Sequence, residues 1–228
     1  MAIRQLNLDD AAAYLHMPSR DIIAYAREGE LPYIGDISRP SFREDDLDAW
    51  ASRHILAMNE RKLGDYEKNA AHDHRKDGVA LSLTSLLSIE RINLNFNART
   101  KASVISESVR MADELGLLYD PKDLLESLRR REELCSTAMA GGFAILHPRC
   151  HDPYLASESF LLLGRTATPI HFGAPDGKPT DLFFTLVCHE DKVHLRTLAR
   201  LCMLLNDKTL LELLRNSDSP AEIVDAIK

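Results

Sequence analysis

Three short apolar runs constrain this chain more than any other feature: FAIL at 143–146, FLLLG at 160–164 and DLFFTLV at 181–187. None alternates apolar with polar residues as a strand with one wet face does, so each reads as a strand covered on both faces. Such strands need helices above and below, and the flanking sequence supplies them. Ile105, Val109, Ala112 and Leu115 share one helical face ahead of Gly116, and Asp120, Pro121 and Asp123 open a helix running through LLESLRRREEL. Leu195, Leu198, Cys202 and Leu205 form a stripe over 193–206, and SPAE at 219–222 caps a last helix. INLNF at 92–96 alternates and predicts a further, half-buried strand. For residues 81–228 the expected fold class is α/β, a mixed sheet flanked by helices on both faces.

The first quarter of the chain has a different grammar. Asn7 is placed to cap a helix bearing Ala11, Ala12 and Leu15, HMP interrupts it, and Ser19 is expected to cap RDIIAYARE before Gly29. LPYIGDISRPSF then predicts two extended runs around a polar turn, followed by a helix carrying Leu47, Trp50, Ala51, Ile55 and Met58. From 59 to 80 the apolar periodicity stops and charge takes over, which predicts a polar linker between a domain at 1–58 and another at 81–228. His72 and His74 fall in that linker and read as solvated side chains rather than a metal site.

A net charge of −7, from 28 basic and 35 acidic residues, argues against a protein that coats polyanions. No apolar run approaches the roughly 20 residues needed to span a bilayer, so a cytoplasmic protein without membrane association is expected. Cys135, Cys150, Cys188 and Cys202 lack CxxC spacing and read as reduced, mostly core residues.

The stretch GGFAILHPRCH at 141–151 carries the chemistry. A histidine just beyond a buried strand stands where α/β folds open their ligand crevice. Its imidazole offers one nitrogen lone pair while the other nitrogen donates a hydrogen bond, so His147 can attack phosphorus. His147, Cys150 and His151 also form HxxCH, which supplies two or three zinc ligands but lacks the further spaced set that zinc sites need. Neither a metal nor a cofactor is expected.

LRRREELCSTAMAGGFAILHPR resembles the signature of the phosphotransferase-system enzyme IIA domains of the fructose/mannitol type, including the nitrogen-regulatory branch, RExLGSTGxGxGIAIPH. Arg131, Glu132, Leu134, Ser136, Thr137, Gly142, Ala144, Ile145 and His147 fall on it. TPIHFGAPDGKPTDLFFTLV is similar to PIxFxAxDxxPVDLLFxL, and His194 in VHLRTLARL matches the family's second histidine. The resemblance implies that His147 accepts a phosphoryl group from a histidine phosphocarrier protein, making the chain a phosphoryl carrier rather than a turnover enzyme. Phosphoryl transfer needs positioning and donors more than covalent help. Arg131 offers a planar fork, Ser136 and Thr137 offer hydroxyl donors, and His194 is expected to steady the ring or the phosphate. Cys135, Ala138 and Ala140 replace family glycines, so any of them needing positive φ would be strained by about 1 kcal/mol. Leu146 replaces the proline before the histidine.

LNLDDAAAYLHMPSRDIIAYAREGELPYIGDISRPSFREDDLDAW is similar to excisionase-like winged helix-turn-helix domains, LTxxEAAxYLxVSxxTVxxxxxxGxLPxxxxxxxxRFxxxDLDAW. The likeness implies DNA contact through Arg20 and Arg27 on the reading helix, with Arg39 and Arg43 on the wing. Through residue 62, eight basic side chains face eleven acidic ones, so dimerisation or a partner is needed for useful DNA affinity. Three functions compete: a phosphate-switched DNA-binding regulator, a carrier feeding a transporter, and an unphosphorylated interaction protein with a degenerate IIA domain. The first leads, since the motifs of a IIB or membrane portion are not seen in this sequence.

Overall fold

A computed structural model of the chain describes residues 4–58, 61–66, 68, 83–148 and 154–227. The predicted histidines of the linker, His72 and His74, and the zinc candidates Cys150 and His151 lie outside these residues. The chain divides into two compact units, residues 1–80 and 81–228.

The first unit opens on a strand, β1 (Gln5–Asn7), that the sequence pattern does not announce. Asn7 ends it and caps α1 (Leu8–Leu15), its side-chain oxygen accepting from the Asp10 amide at 2.9 Å. The helix stops at His16, which turns into the left-handed region at φ 51°, ψ 37°. The next helix, α2 (Ser19–Arg27), begins with Ser19 inside it and Pro18 as N-cap, so Ser19 does not perform the expected capping. Of the predicted hairpin, Ile34 and Ser41 do pair, but β2 (Ser41–Arg43) forms its ladder with β1, antiparallel, Leu6 opposite Phe42. The chain passes directly into α3 (Glu44–Ala57), with Glu44, Asp45 and Asp46 in its first turn, where the helix dipole favours them. Leu15, Ile22, Leu31, Phe42, Leu47 and Ile55 close the core. Residues 61–66 are helical again and bury Leu63 and Tyr66, so ordered chain extends past the expected domain end at 58.

The second unit starts with a single turn, α4 (Leu83–Leu86). Its sheet has five strands: β3 (Ile92–Asn93), β4 (Ala138–Met139), β5 (Phe143–Leu146), β6 (Phe160–Ile170) and β7 (Thr180–Val187). They lie in the order β3-β6-β7-β5-β4. β3 with β6 and β5 with β7 are parallel; β6 with β7 and β4 with β5 are antiparallel. The sheet is therefore mixed, and the consecutive burial of β5 and β7 shows that both their faces are covered.

The expected strand at 92–96 shrinks to two residues because the chain turns at Leu94, with the Asn95 amide donating to the Asn93 side chain. The helices are α5 (Lys101–Glu114), opened by a Thr100–Ser103 capping box, and α6 (Pro121–Leu134), capped by Asp120. They continue with α7 (Asp191–Leu205), α8 (Lys208–Asn216) and α9 (Pro220–Ala226), the last capped by Ser219. On β6, Arg165 Nη1 donates to the carbonyls of Leu214, Arg215 and Ser217, which end α8. Among the described residues, no helix is long and apolar enough to cross a membrane.

Candidate functional site

Parallel pairing of β5 with β7, with Leu146 beside Thr185, brings the carboxyl ends of both strands to one edge of the sheet. His147 is the first residue past β5, and His194 sits in the first turn of α7, just after β7. Topology thus joins two imidazoles far apart in sequence: their ring centroids lie 5.1 Å apart with a 45° tilt. The third member arrives from α6. Leu124, Leu128, Arg131 and Glu132 share that helix's buried face, and this spacing turns the Arg131 side chain inward at the helix end.

Arg131 Nε donates to His147 Nε2 at 2.9 Å, and Nη1 donates to the carbonyl of Cys135 at 3.0 Å. On the other side of the ring, His147 Nδ1 lies 2.9 Å from the Ile145 carbonyl. A carbonyl only accepts and a guanidinium only donates, so the ring is the neutral tautomer with its proton on Nδ1. The lone pair at Nε2 is the nucleophile this arrangement presents. Among the described residues, Arg131 Nη2 is buried without a hydrogen-bond partner, an unused donor arm beside that nitrogen.

One expectation is corrected. His147 is not accessible at the sheet rim: it is 1% exposed, Arg131 2% and His194 0%. Arg131 from α6 and His194 from α7 lie against the ring at this strand end. The ring's neighbours are nevertheless a guanidinium, a second imidazole and a backbone carbonyl.

Ser136 and Thr137 are close in sequence to this cluster, but their hydroxyls are committed elsewhere. Ser136 Oγ donates to the Phe172 carbonyl at 2.9 Å. Thr137 Oγ1 donates to Glu132 Oε2 at 2.6 Å, and the Thr137 amide adds a bond to the same oxygen at 3.1 Å. Lys101 Nζ completes the set, 2.6 Å from Glu132 Oε1 and 4.8 Å from the centre of the Phe172 ring. A buried carboxylate is tolerable only with partners of this kind. Glu132 and Lys101 thus hold the turn after α6, a role the sequence reading did not assign; Glu132 was visible on the motif, whereas nothing near Lys101 signals it.

The strain foreseen for the replaced glycines does not arise. Cys135 is extended at φ −166°, and neither Ala138 nor Ala140 has positive φ. The turn instead uses the glycines that remain, Gly141 at φ 99° and Gly142 at φ 84°. Cys188 and Cys202 are buried as expected, while Cys135 is half-buried. Arg20, Arg27, Arg39 and Arg43 are all exposed; Arg20 contacts Asp21 at 3.3 Å.

The second unit therefore defines a mixed α/β domain with a tautomer-fixed histidine, a guanidinium and a second imidazole gathered at the carboxyl ends of parallel strands. The chain belongs to the family described as phosphoenolpyruvate-dependent sugar phosphotransferase system, EIIA 2, which matches residues 85–228. It is 33% identical over 153 residues to the nitrogen regulatory protein of Klebsiella oxytoca, covering 65% of this chain and 91% of that one. It is 30% identical over 149 residues to the fructose-specific EIIABC component of Bacillus subtilis, covering 64% of this chain and only 23% of that larger protein. Among solved structures, the nitrogen regulatory protein IIA-Ntr of Neisseria meningitidis superimposes with a TM-score of 0.58 at 28% identity, covering 64% of this chain and 99% of that one.

Proposed function

We propose that this chain is a phosphotransferase-system regulatory protein in which His147 accepts a phosphoryl group at Nε2 from a histidine phosphocarrier protein. The observation that carries the reading is the hydrogen-bond pair that fixes the tautomer: Ile145 holds the Nδ1 proton and leaves the Nε2 lone pair toward Arg131. In the transfer, the P–N bond of the donor phosphohistidine breaks as the bond from phosphorus to Nε2 forms. The Nδ1 proton stays on the ring, and its bond to the Ile145 carbonyl stabilises the charge that develops there. Arg131 Nε gives up its bond to Nε2, and the guanidinium, including the unused Nη2, turns to the phosphoryl oxygens. His194, whose ring centroid lies 5.1 Å from that of His147, steadies the ring or the phosphate. Because His147 is covered, docking of the donor includes displacement of part of that cover.

The first unit is proposed as an excisionase-like winged helix-turn-helix, supported by the succession of α1, a tight turn and α2, followed by the Ile34–Ser41 pairing. Arg20 and Arg27 on α2 and Arg39 and Arg43 beyond it are the proposed DNA contacts, used by a homodimer or with a protein partner. Phosphorylation adds close to two negative charges and changes how this protein meets DNA or its regulated partner.

The test is incubation with phosphoenolpyruvate, enzyme I and the phosphocarrier, followed by intact mass at neutral or alkaline pH. The expected result is a gain of one phosphoryl group that His147→Ala abolishes. An unchanged mass for the unmodified sequence rejects the phosphoryl reading and leaves the interaction protein.

A further inference from the structure

Arg131 and Glu132 follow one another on α6, and both belong to its buried face. They reach into the same short turn: Arg131 Nη1 donates to the Cys135 carbonyl, while Glu132 accepts from the amide and the hydroxyl of Thr137. Opposite charges brought to one buried place ordinarily pair. Among the described residues these two do not: the partners of Arg131 are the His147 ring, the Cys135 carbonyl and, at 3.4 Å, the Cys135 sulfur. The guanidinium charge beside His147 is therefore not held by a carboxylate.

Lys101 accounts for this. Its Nζ lies 2.6 Å from Glu132 Oε1 and 4.8 Å from the centre of the Phe172 ring. The Glu132 side chain is 5% exposed and that of Lys101 40%, so a buried carboxylate meets a cation reaching it from the surface. Thr137 gives the carboxylate hydrogen bonds but no charge. Lys101 has no local advantage where it stands, because it is the first residue of α5, the end at which the helix dipole disfavours a cation. Its use lies across the gap between helices, at Glu132.

We propose that Lys101 is a positioning residue for phosphoryl transfer: by balancing Glu132, it keeps the Arg131 guanidinium free of a carboxylate and available to the phosphoryl oxygens. This role rests on His147 being the phosphoryl acceptor. An incoming phosphoryl group carries close to two negative charges and is met best by a cation that no carboxylate already holds. Without the lysine, Glu132 is a buried charge lacking a cationic partner. The guanidinium of the preceding residue, with Nη2 unused, then turns to that carboxylate and away from His147. Lys101 thus acts through Glu132 and Arg131 rather than on the phosphate.

The experiment follows intact mass over time for the full chain with phosphorylated phosphocarrier protein, across carrier concentrations that separate limiting rate from half-saturation. Lys101→Gln, which keeps a donor but loses the charge, is expected to lower the limiting rate by at least about tenfold and to leave half-saturation little changed. Lys101→Arg should retain most of the rate. Adding Glu132→Gln to Lys101→Gln removes the charge that needs balancing and should restore most of the loss, which a lysine in direct contact with phosphate would not allow. An unchanged limiting rate in Lys101→Gln overturns the proposal, as does a double variant no faster than the single one. A loss confined to half-saturation also overturns it and makes Lys101 a docking contact. Should Lys101→Gln fail to fold by thermal unfolding, the double variant decides: a rate near the parent's is expected, and a loss of about tenfold overturns the proposal. A parent protein that gains no phosphoryl group removes the reading of His147, and the role of Lys101 with it.

Discussion

Arg131 donates through Nε to Nε2 of His147 at 2.9 Å, so the guanidinium covers the one nitrogen lone pair the ring has to offer. If it hands that bond over to phosphoryl oxygens, its removal costs a charge-assisted hydrogen bond of about 1.5–3 kcal/mol. Arg131→Ala is therefore expected to slow phosphoryl gain by about ten- to hundredfold, read as a time course of intact mass. Arg131→Lys, which keeps the charge but loses the planar fork, should recover only part of the rate. Rates equal to the parent in both variants would remove Arg131 from the mechanism.

The same hydrogen bonds predict where phosphorus attaches. Nitrogen-15 chemical shifts should show His147 protonated on Nδ1 before the reaction and phosphorylated on Nε2 after it, with the Nδ1 proton retained. A product carrying phosphorus on Nδ1 contradicts the Ile145 contact.

Thr137 has a structural role in this geometry, through its two bonds to the buried Glu132 carboxylate. Thr137→Val removes the shorter of them and is expected to lower unfolding stability by about 1–3 kcal/mol in denaturant titration. The initial rate of phosphoryl gain at a temperature where the variant is folded should change little. A large rate loss with unaltered stability would instead place the hydroxyl on the phosphate.

Burial pushes the thiols of Cys188 and Cys202 up to about 12, so the nucleophilic thiolate is scarce in both at neutral pH. Iodoacetamide at about pH 8 is expected to alkylate the half-buried Cys135 in the folded chain and to spare these two until the protein unfolds. Peptide mass mapping reads the outcome. Early labelling of Cys188 or Cys202 would show that the end of β7 or α7 opens readily.

His54 is held below its ordinary 6.5, by burial first and by Lys62 second. The unfolded chain then binds more protons than the folded one as the solution is acidified. Stability is fully present above pH 6.5 and falls as pH drops through the folded value. Trp50, stacked on His54, should report this loss, and His54→Gln is expected to flatten the pH dependence.

The sheet was readable because a strand buried on both faces has no polar alternation to mask it. FAIL coincides with β5, and DLFFTLV lies one residue inside β7. FLLLG understates β6, which runs on through exposed residues to Ile170, where apolar patterning no longer marks it. β4 owes its two residues to pairing with β5 and has no local signal. α8 does have one in KTLLELLRN, which lies beyond the stripe at 193–206. At the site, the motif pointed to Arg131, His147 and His194, and the structure brings their side chains together. It did not convey that His147 is covered, with Arg131 of α6 and His194 of α7 brought against its ring. Nor did it connect Lys101 with Glu132, a pairing across α5 and α6 that exists only once those helices are packed.

Arg165 gives the last two helices a mechanical importance that their distance from His147 conceals. Its guanidinium sits mid-sheet on β6 and grips the carbonyls of Leu214, Arg215 and Ser217. Trimming the protein after Glu212 would take away all three acceptors at once and leave a half-sequestered cation with nothing to hold, so the tail behaves as a rivet for the strand rather than as an appendage.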